Sequence, residues 1–311
     1  MELGINGTGE TVVFSPAPAM PGLLPAPPDA AAQLGRIARN AAGTFCWCEQ
    51  SWRAPLVWPQ PSQRPEEYLR LLYGVGPATD RRLRREGWRS IPSLVQHPRW
   101  GRQASLLEQS LQNQEWVELV RRGLPDGLLL GIVDPGQAVF LDIETCGLES
   151  TQPAFLVGLA WWEEKPGCWR LLQLLARDYS EEAAILTQAA GILEQFRLLF
   201  TFNGKSFDVR FLRERAAYYG LELPASLLHV DLLPHARRWL RPHLRDCRLA
   251  TIQAEVLGEP RPGDIPGSLV PEYYRRYVET GDAAWVAGIL YHNALDLKAM
   301  SQLLPYVQAM V

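Results

Sequence analysis

Residues 138–145 read Ala-Val-Phe-Leu-Asp-Ile-Glu-Thr and place two carboxylates, Asp142 and Glu144, at the end of an apolar run. The run is rich in residues that favour β-structure, so it predicts a buried strand. Because side chains alternate along a strand, both carboxylates emerge on the same face. Burying like charges so close together is costly unless a cation lies between them, and Mg²⁺ takes oxygen ligands of this kind. The stretch therefore predicts a metal site, used for metal-assisted phosphoryl chemistry.

The composition limits the classes of function that the chain can have. Its 311 residues are enough for one large domain and a smaller one, and 47% hydrophobic residues provide a core. The net charge of -3 gives no overall basic character, so any surface for nucleic acid must be local. Five scattered cysteines predict neither a disulfide framework nor a zinc site. With no secretion signal and no apolar stretch of bilayer length, the sequence predicts a cytoplasmic protein with no membrane partner.

Turn-forming residues divide the sequence into three predicted regions. Residues 1–62 are expected to form a proline-rich leader and an irregular arm, and residues 63–128 a small helical module. Residues 135–311 are expected to form the main domain, an α/β domain with a mixed five-stranded sheet flanked by helices. The five strand signals lie near residues 137–143, 154–163, 168–177, 198–202 and 227–230.

Further acids follow where the predicted strands end. Asp208 lies in the first turn of a helix, after a strand and the tight turn Asn203-Gly204, and Asp231 ends the next strand. Ligands gather at the carboxyl ends of strands in open α/β sheets, so these acids should meet the first two carboxylates there. Taken alone, Asp208 could complement a helix dipole and Asp231 could be a helix cap.

The last signal lies in the closing helix, where His292 and Asp296 are four residues apart and hence on one face. A single histidine is more often a satisfied core or surface residue than a ligand, and Asp296 alone would be an ordinary solvated acid. Their occurrence after three other acids, in this order, favours a metal-dependent α/β domain that acts on phosphates.

These acids form three motifs that resemble the exonuclease motifs of the DEDD superfamily, which has a ribonuclease H-like fold. The motifs are Asp142-x-Glu144, Asn203-Gly204-x-x-x-Asp208 and His292-x-x-x-Asp296. The segments Asp264-Ile265-Pro266-Gly267 and Tyr291-His292-Asn293 add a resemblance to the YprB-like branch of predicted exonucleases. The resemblance spans about residues 137–303 and implies a nuclease, with 3′→5′ exonuclease activity as the leading expectation.

The resemblance also implies how the site would work. Two divalent ions, Mg²⁺ or Mn²⁺, would be held by Asp142, Glu144, Asp208 and Asp296 and would clamp the scissile phosphate. His292 would orient or deprotonate the attacking water, because an ordinary histidine pKa near 6.5 suits a base at neutral pH. Tyr291 is the alternative. Members of the superfamily carry a histidine five residues or a tyrosine four residues before the last aspartate, and here that order is reversed.

Three more residues are candidates around the same turn and strand end. Asn203 and Lys205 are expected near a substrate phosphate, although a solvated turn lysine is the ordinary alternative for Lys205. Asp231 is expected to support the metal ligands from behind or to cap the following helix. Asp264 is expected to cap the tyrosine-rich residues 273–277.

A second signal for nucleic acid lies in the helical module, where residues 71–78 read Leu-Leu-Tyr-Gly-Val-Gly-Pro-Ala. This segment resembles a helix–hairpin–helix element, in which Gly74 and Gly76 would let backbone N–H groups approach a phosphate. Residues 64–102 hold nine arginines against four acids, a local basic patch. The candidate contacts to DNA or RNA are Arg81, Arg82, Arg84 and Arg85. The alternative is a plain helical hairpin with a solvated arginine face.

Two other functions remain open at this point. A structure-selective endonuclease would use the same metals and differ only in how the substrate reaches them. A non-catalytic nucleic-acid-binding or scaffold protein could retain the fold, although it would have little physical reason to keep four clustered carboxylates. The sequence does not distinguish DNA from RNA.

Overall fold

The computed structural model describes residues 35–307 and two short antiparallel strands, β1 (Glu2–Ile5) and β2 (Thr11–Val13). The predicted proline-rich leader lies largely outside the described residues. The chain forms two compact units, one of residues 1–57 with 136–303 and the other of residues 58–135 with 304–311. Within the described ranges, no helix is both long and apolar enough to cross a membrane. All five cysteines are free thiols.

The smaller unit contains the predicted helical module. Its helices are α1 (Pro77–Arg85), α2 (Gly101–Gln112), α3 (Trp116–Arg121) and α4 (Asp126–Leu129). The segment before the glycine turn forms only two 3-10 turns, Pro65–Glu67 and Leu69–Leu71, where a helical segment was expected. Pro77 begins α1, where its missing N–H costs no hydrogen bond. Leu83 is the one fully buried side chain of α1, so its other side chains are at least partly solvated.

The larger unit is built on a seven-stranded mixed sheet. Its strand order is β3-β4-β7-β6-β5-β8-β9, and all neighbours are antiparallel except β5-β8 and β8-β9. The strands are β3 (Arg36–Asn40), β4 (Gly43–Trp52), β5 (Ala138–Thr145), β6 (Ala154–Glu163), β7 (Cys168–Leu175), β8 (Leu198–Thr201) and β9 (Leu228–Asp231). The predicted α/β class and mixed sheet are therefore confirmed.

The predicted number of five strands is wrong, because residues 36–52 form the hairpin β3-β4 instead of an irregular arm. β4 pairs along its length with β7, from Cys46 opposite Leu175 to Trp52 opposite Trp169. Cys46, Cys48 and Gln50 are buried at alternate positions of β4. This alternation over 46–50 is the signal of a strand with one buried face.

Helices cover the sheet and carry the later motifs. They are α5 (Glu182–Leu193), α6 (Asp208–Tyr218), α7 (Leu232–Leu240), α8 (Leu249–Glu255), α9 (Val270–Thr280) and α10 (Ala283–Gln302). The turn at Lys165-Pro166-Gly167 joins the antiparallel strands β6 and β7, as the sequence predicts. Aromatic side chains fill the core, for example Phe155, which stacks on Tyr274 with ring centroids 3.7 Å apart.

A buried ion pair joins α5 to α6. Glu182 accepts hydrogen bonds from Arg215 Nε (2.8 Å) and from the backbone N–H of Ala154 (2.8 Å). Arg215 also donates to the carbonyl of Ser150 at 3.1 Å, and the Glu182 side chain is only 1% exposed. The pair therefore fixes the loop that leaves β5 to the two helices.

We expect Arg215→Met to lower the free energy of unfolding by about 3–5 kcal/mol, because it leaves the Glu182 carboxylate buried without its partner. The matched control is Arg210→Met in the same helix, which removes an ion pair from a side chain that is 73% exposed. That change should cost at most about 1 kcal/mol. Urea denaturation of the two variants checks this, and equal losses would contradict it.

Candidate active site

Strand β5 carries the first two acids in the interior of the sheet, between β6 and β8. Asp142 and Glu144 lie on one face of the strand and are half-buried, while Ile143 between them is buried in the core. Gly158 of β6 stands opposite Asp142, so no side chain from that position crowds the carboxylate.

Asp208 begins α6 and is brought against the same strand. Its Oδ1 accepts a hydrogen bond from the backbone N–H of Ile143 at 3.2 Å, and the side chain is buried. Because Ile143 lies between the two strand acids, this bond fixes a third carboxylate beside them. The predicted meeting of the strand acids with the helix acid is present in the structure.

The turn before α6 is held by Asp231 at the end of β9. The Asp231 carboxylate accepts from the backbone N–H groups of Asn203 (2.8 Å) and Lys205 (3.0 Å), and it caps α7 through Leu233 N–H (3.1 Å). Gly204 is required in this turn, because a Cβ there would lie 2.3 Å from the hydroxyl oxygen of Thr201. Asp231 thus has both of the roles that the sequence left open, and the side chains of Asn203 and Lys205 are exposed.

Helix α10 contributes Asn293, a contact that sequence reasoning missed. Its Nδ2 donates to Asp142 Oδ2 (2.8 Å), and its Oδ1 accepts from Gln173 Nε2 (2.9 Å). A Cβ at Gly158 would lie 2.1 Å from Asn293 Oδ1, so the glycine makes room for this amide. An isolated glycine in an apolar strand often marks such a close approach, and it was the available sequence signal.

Arg261 and Asp264 complete the charged cluster from the loop before α9. The Arg261 side chain is only 5% exposed, and its guanidinium lies 2.6 Å from Asp296 Oδ1 and 3.4 Å from Asp264 Oδ2. Asp264 Oδ1 lies 2.8 Å from His292 Nδ1. The expectation that Asp264 caps residues 273–277 is wrong, because α9 begins at Val270 and Asp264 faces the site instead. No sequence signal marked Arg261.

His292 and Tyr291 point to different partners. His292 Nε2 lies 3.6 Å from Asp296 Oδ2, so its ring stands between Asp264 and Asp296. The Tyr291 hydroxyl donates a long hydrogen bond of 3.4 Å to the carbonyl of Pro262. Of the two candidates for the base, His292 is the one in contact with the carboxylates.

The carboxylates raise one another's pKa values. Burial, together with Asp296, Glu144 and Asp208, raises the pKa of Asp142 well above its usual range. Burial is also the main cause that raises the pKa of Glu144 to about 8 and that of Asp208 to about 7, with Asp296 adding to both. The free site therefore holds protons at pH values where ordinary carboxyl groups are ionised.

The pKa of His292 departs from the expected ordinary value. Burial lowers it, but the hydrogen bond to Asp264 and the charges of Asp296 and Glu144 prevail and raise it to about 9. Without bound cations the imidazole is therefore protonated at neutral pH. A cation that neutralised the neighbouring carboxylates would remove part of this shift and return the pKa toward neutrality.

The donor set fits a divalent cation in kind and in charge. Clustered carboxylate oxygens are ligands of Mg²⁺ and Mn²⁺, and their mutual repulsion favours a positive ion among them. In the described part of the chain, however, no three His, Cys, Asp or Glu side chains stand as a ready ligand set. Asp296 is turned toward Arg261, so it would have to reorient to join the other three acids as a ligand.

Comparisons with known proteins agree with the fold. A family model described as RNase_H superfamily matches residues 139–308, more than half of the chain. Over 107 residues, 34% of this chain and 26% of the relative, the sequence is 33% identical to "Uncharacterized protein YprB" of Bacillus subtilis (strain 168). The chain thus spans about a quarter of that relative. A family B DNA polymerase from the hyperthermophilic archaeon Pyrobaculum calidifontis matches with a TM-score of 0.44 and 17% identity, over 54% of this chain and 24% of the polymerase.

The predicted ribonuclease H-like fold and the resemblance to YprB are confirmed by these matches. The helix–hairpin–helix element lies outside the matched residues 139–308 and stays a prediction. The superfamily match indicates a nuclease-type domain that acts on nucleic acid, and nucleases with this fold generally use divalent metals. The chain belongs to the RNase_H superfamily.

Proposed function

We propose that this chain is a metal-dependent nuclease that removes nucleotides from the 3′ end of a nucleic acid. The observation that carries the proposal is the hydrogen bond from Ile143 N–H to Asp208, which gathers three carboxylates from a strand and a helix. Asp296 belongs to the same cluster, since its charge raises the pKa values of all three. Such a concentration of negative charge has a physical use when cations and a phosphate are brought to it.

The four acids would hold two Mg²⁺ or Mn²⁺ ions, which supply a water of lowered pKa and stabilise charge on the phosphate. Asn293 holds the Asp142 carboxylate in place, and Asp208 is held by Ile143. Asp264 orients the His292 ring through Nδ1, which leaves Nε2 to accept and return a proton. Asn203 and Lys205 lie exposed at the turn before Asp208 and would contact the substrate phosphates.

Digestion of an oligonucleotide labelled at its 5′ end or its 3′ end tests the reaction. With Mg²⁺ or Mn²⁺ we expect a ladder of products shortened from the 3′ end, and none with Asp142→Asn. His292→Ala should lower the rate by about 10²–10⁴-fold, the usual range for a general base. Tyr291→Phe is the matched control and should cleave at close to the normal rate.

Other outcomes of this digestion point to other functions. An internal cut would indicate a structure-selective endonuclease, and binding without cleavage would indicate a non-catalytic protein on the same fold. Full metal-dependent cleavage by His292→Ala, together with loss of cleavage by Tyr291→Phe, would assign the base to Tyr291.

The raised pKa values predict how stability depends on pH and metal. The folded pKa values of Glu144 and Asp208, about 8 and about 7, exceed ordinary unfolded values near 4. Their protonated forms therefore stabilise the folded protein, and this contribution is lost as pH rises through 7 and 8. In metal-free protein we expect Tm to fall over this range. Millimolar Mg²⁺ should raise Tm more at the alkaline end, because it binds the ionised site of the folded state.

Asp208→Asn is the control for this melting experiment. It removes one of the like charges, so its metal-free Tm should fall less with pH, and Mg²⁺ should raise it little. A Tm of the unmodified protein that does not respond to Mg²⁺ or Mn²⁺ at alkaline pH would contradict the proposed metal site.

We also propose that the helical module binds the backbone of the nucleic acid. Gly76 has an extended φ of -87°, and a Cβ there would meet nothing within 4 Å, so neither strain nor packing explains the glycine. The turn borders a cavity of about 540 Å³ that also has Arg70 and Arg122 in its lining. Arg84 is engaged inside the module by Asp80 Oδ1 (2.7 Å) and the carbonyl of Glu67 (2.6 Å). Arg81, Arg82 and Arg85 are exposed and are the better candidates for phosphate contacts.

Replacing Arg81, Arg82 and Arg85 together by Gln should weaken oligonucleotide binding and reduce its dependence on salt concentration, by up to about 0.7 in slope for each lost phosphate contact on a single strand. Gly76→Ala should weaken binding without a large change in Tm, because its Cβ projects into open space. Fluorescence anisotropy in EDTA measures both effects. Unchanged affinity and salt slope in the triple variant would remove this role from the module.

A further inference from the structure

A strongly basic surface follows strand β9 in the larger unit and has no part in the site described above. Residues 232–248 contain five arginines and one aspartate, although the whole chain carries a net charge of -3. Four of these arginines, here called the arginine ridge, are exposed: Arg237, Arg241, Arg245 and Arg248. Trp239 lies among them with 41% of its surface exposed.

The charge of the ridge is poorly neutralised by the protein. Within the part of the chain that the structure describes, no carboxylate lies within 4 Å of Arg237, Arg241 or Arg248. Arg245 has only loose partners, with Asp246 at 3.9 Å and Glu255 at 3.6 Å, and its side chain is 76% exposed. The ridge is therefore a concentrated positive charge directed at solvent.

Another pair of arginines in the same unit shows what a neutralised surface looks like. In α9, Arg275 and Arg276 both bind Glu272, at 2.6 Å and 3.0 Å, and Arg275 also binds Glu279. Favourable interaction with a helix C-terminus accounts for a basic residue in the last turn of α7, such as Arg237. It does not account for Arg245 and Arg248, which lie beyond that helix.

The ridge begins close to the carboxylate cluster. Asp231 caps α7 and at the same time holds the Asn203–Lys205 turn that leads into Asp208. Arg237 lies six residues beyond Asp231 in sequence, or about 9 Å along a helix axis. At about 3.4 Å per nucleotide, that is a distance of two to three nucleotides along a strand.

We propose that the arginine ridge binds the phosphates of the single-stranded nucleic acid whose end lies at the carboxylate cluster. Exposed guanidinium groups and an aromatic ring are the means by which proteins hold a single strand without reading its sequence. The inference rests on the proposed nuclease function and adds where the strand runs beyond the site. It assigns these arginines to affinity and leaves the cleavage step to the carboxylates.

Binding of a labelled single-stranded oligonucleotide to the full chain in EDTA tests the ridge. Replacing the four ridge arginines together by Gln should weaken binding about tenfold or more and reduce the salt slope by up to about 3. The matched control is Arg275→Gln with Arg276→Gln, which should bind like the unmodified protein. Equal Tm values exclude misfolding of the ridge variant. Unchanged affinity and salt slope in that variant would overturn the proposal.

Two further measurements separate the ridge from the proposed function and from another anionic partner. A dinucleotide is too short to reach the ridge, so the ridge variant should cleave it at the normal rate while losing activity on long strands. If the unmodified protein cleaves neither substrate, the nuclease proposal fails and the binding assay still decides the ridge. Ridge-dependent sedimentation with phosphatidylserine vesicles, without ridge-dependent oligonucleotide binding, would show a membrane-facing surface and overturn the proposal.

Discussion

Mutual repulsion among buried carboxylates is the constraint around which the larger unit is organised. Strand β5 presents Asp142 and Glu144 on one face, and the bond from Ile143 N–H to Asp208 adds a third acid beside them. Each contact nearby either orients one of these groups or reduces their charge. Asn293 donates to Asp142, and Asp231 fixes the turn that carries Asp208. The fold thus maintains an arrangement that is unfavourable on its own.

The parts of the site that depend on local rules were predictable from the sequence. Strand alternation put Asp142 and Glu144 on one face, and helical spacing put His292 and Asp296 on one face. The hairpin β3-β4 was missed because only a short part of β4 shows the alternating burial of a strand. Arg261 and the pKa of His292 were not predictable, because both depend on groups brought together from distant parts of the chain.

The two basic surfaces explain how an acidic chain can act on a polyanion. Repulsion by the carboxylates acts over short distances in salt solution, and each unit offers exposed arginines elsewhere on its surface. A net charge near zero also limits indiscriminate attraction to any nucleic acid. In this view attraction and chemistry are assigned to different residues, which leaves the carboxylates free to be selected for the reaction alone.

Arg261 makes the cluster self-sufficient before any ion arrives. Its guanidinium is enclosed next to Asp296 and Asp264, so the protein carries its own counter-charge inside the site. The chain can therefore reach its folded state in the absence of metal. Loading of Asp296 with a divalent ion then becomes an exchange of one cation for another, and affinity is set by the difference between the two. The displaced guanidinium is a positive group released at the moment when a phosphate needs one.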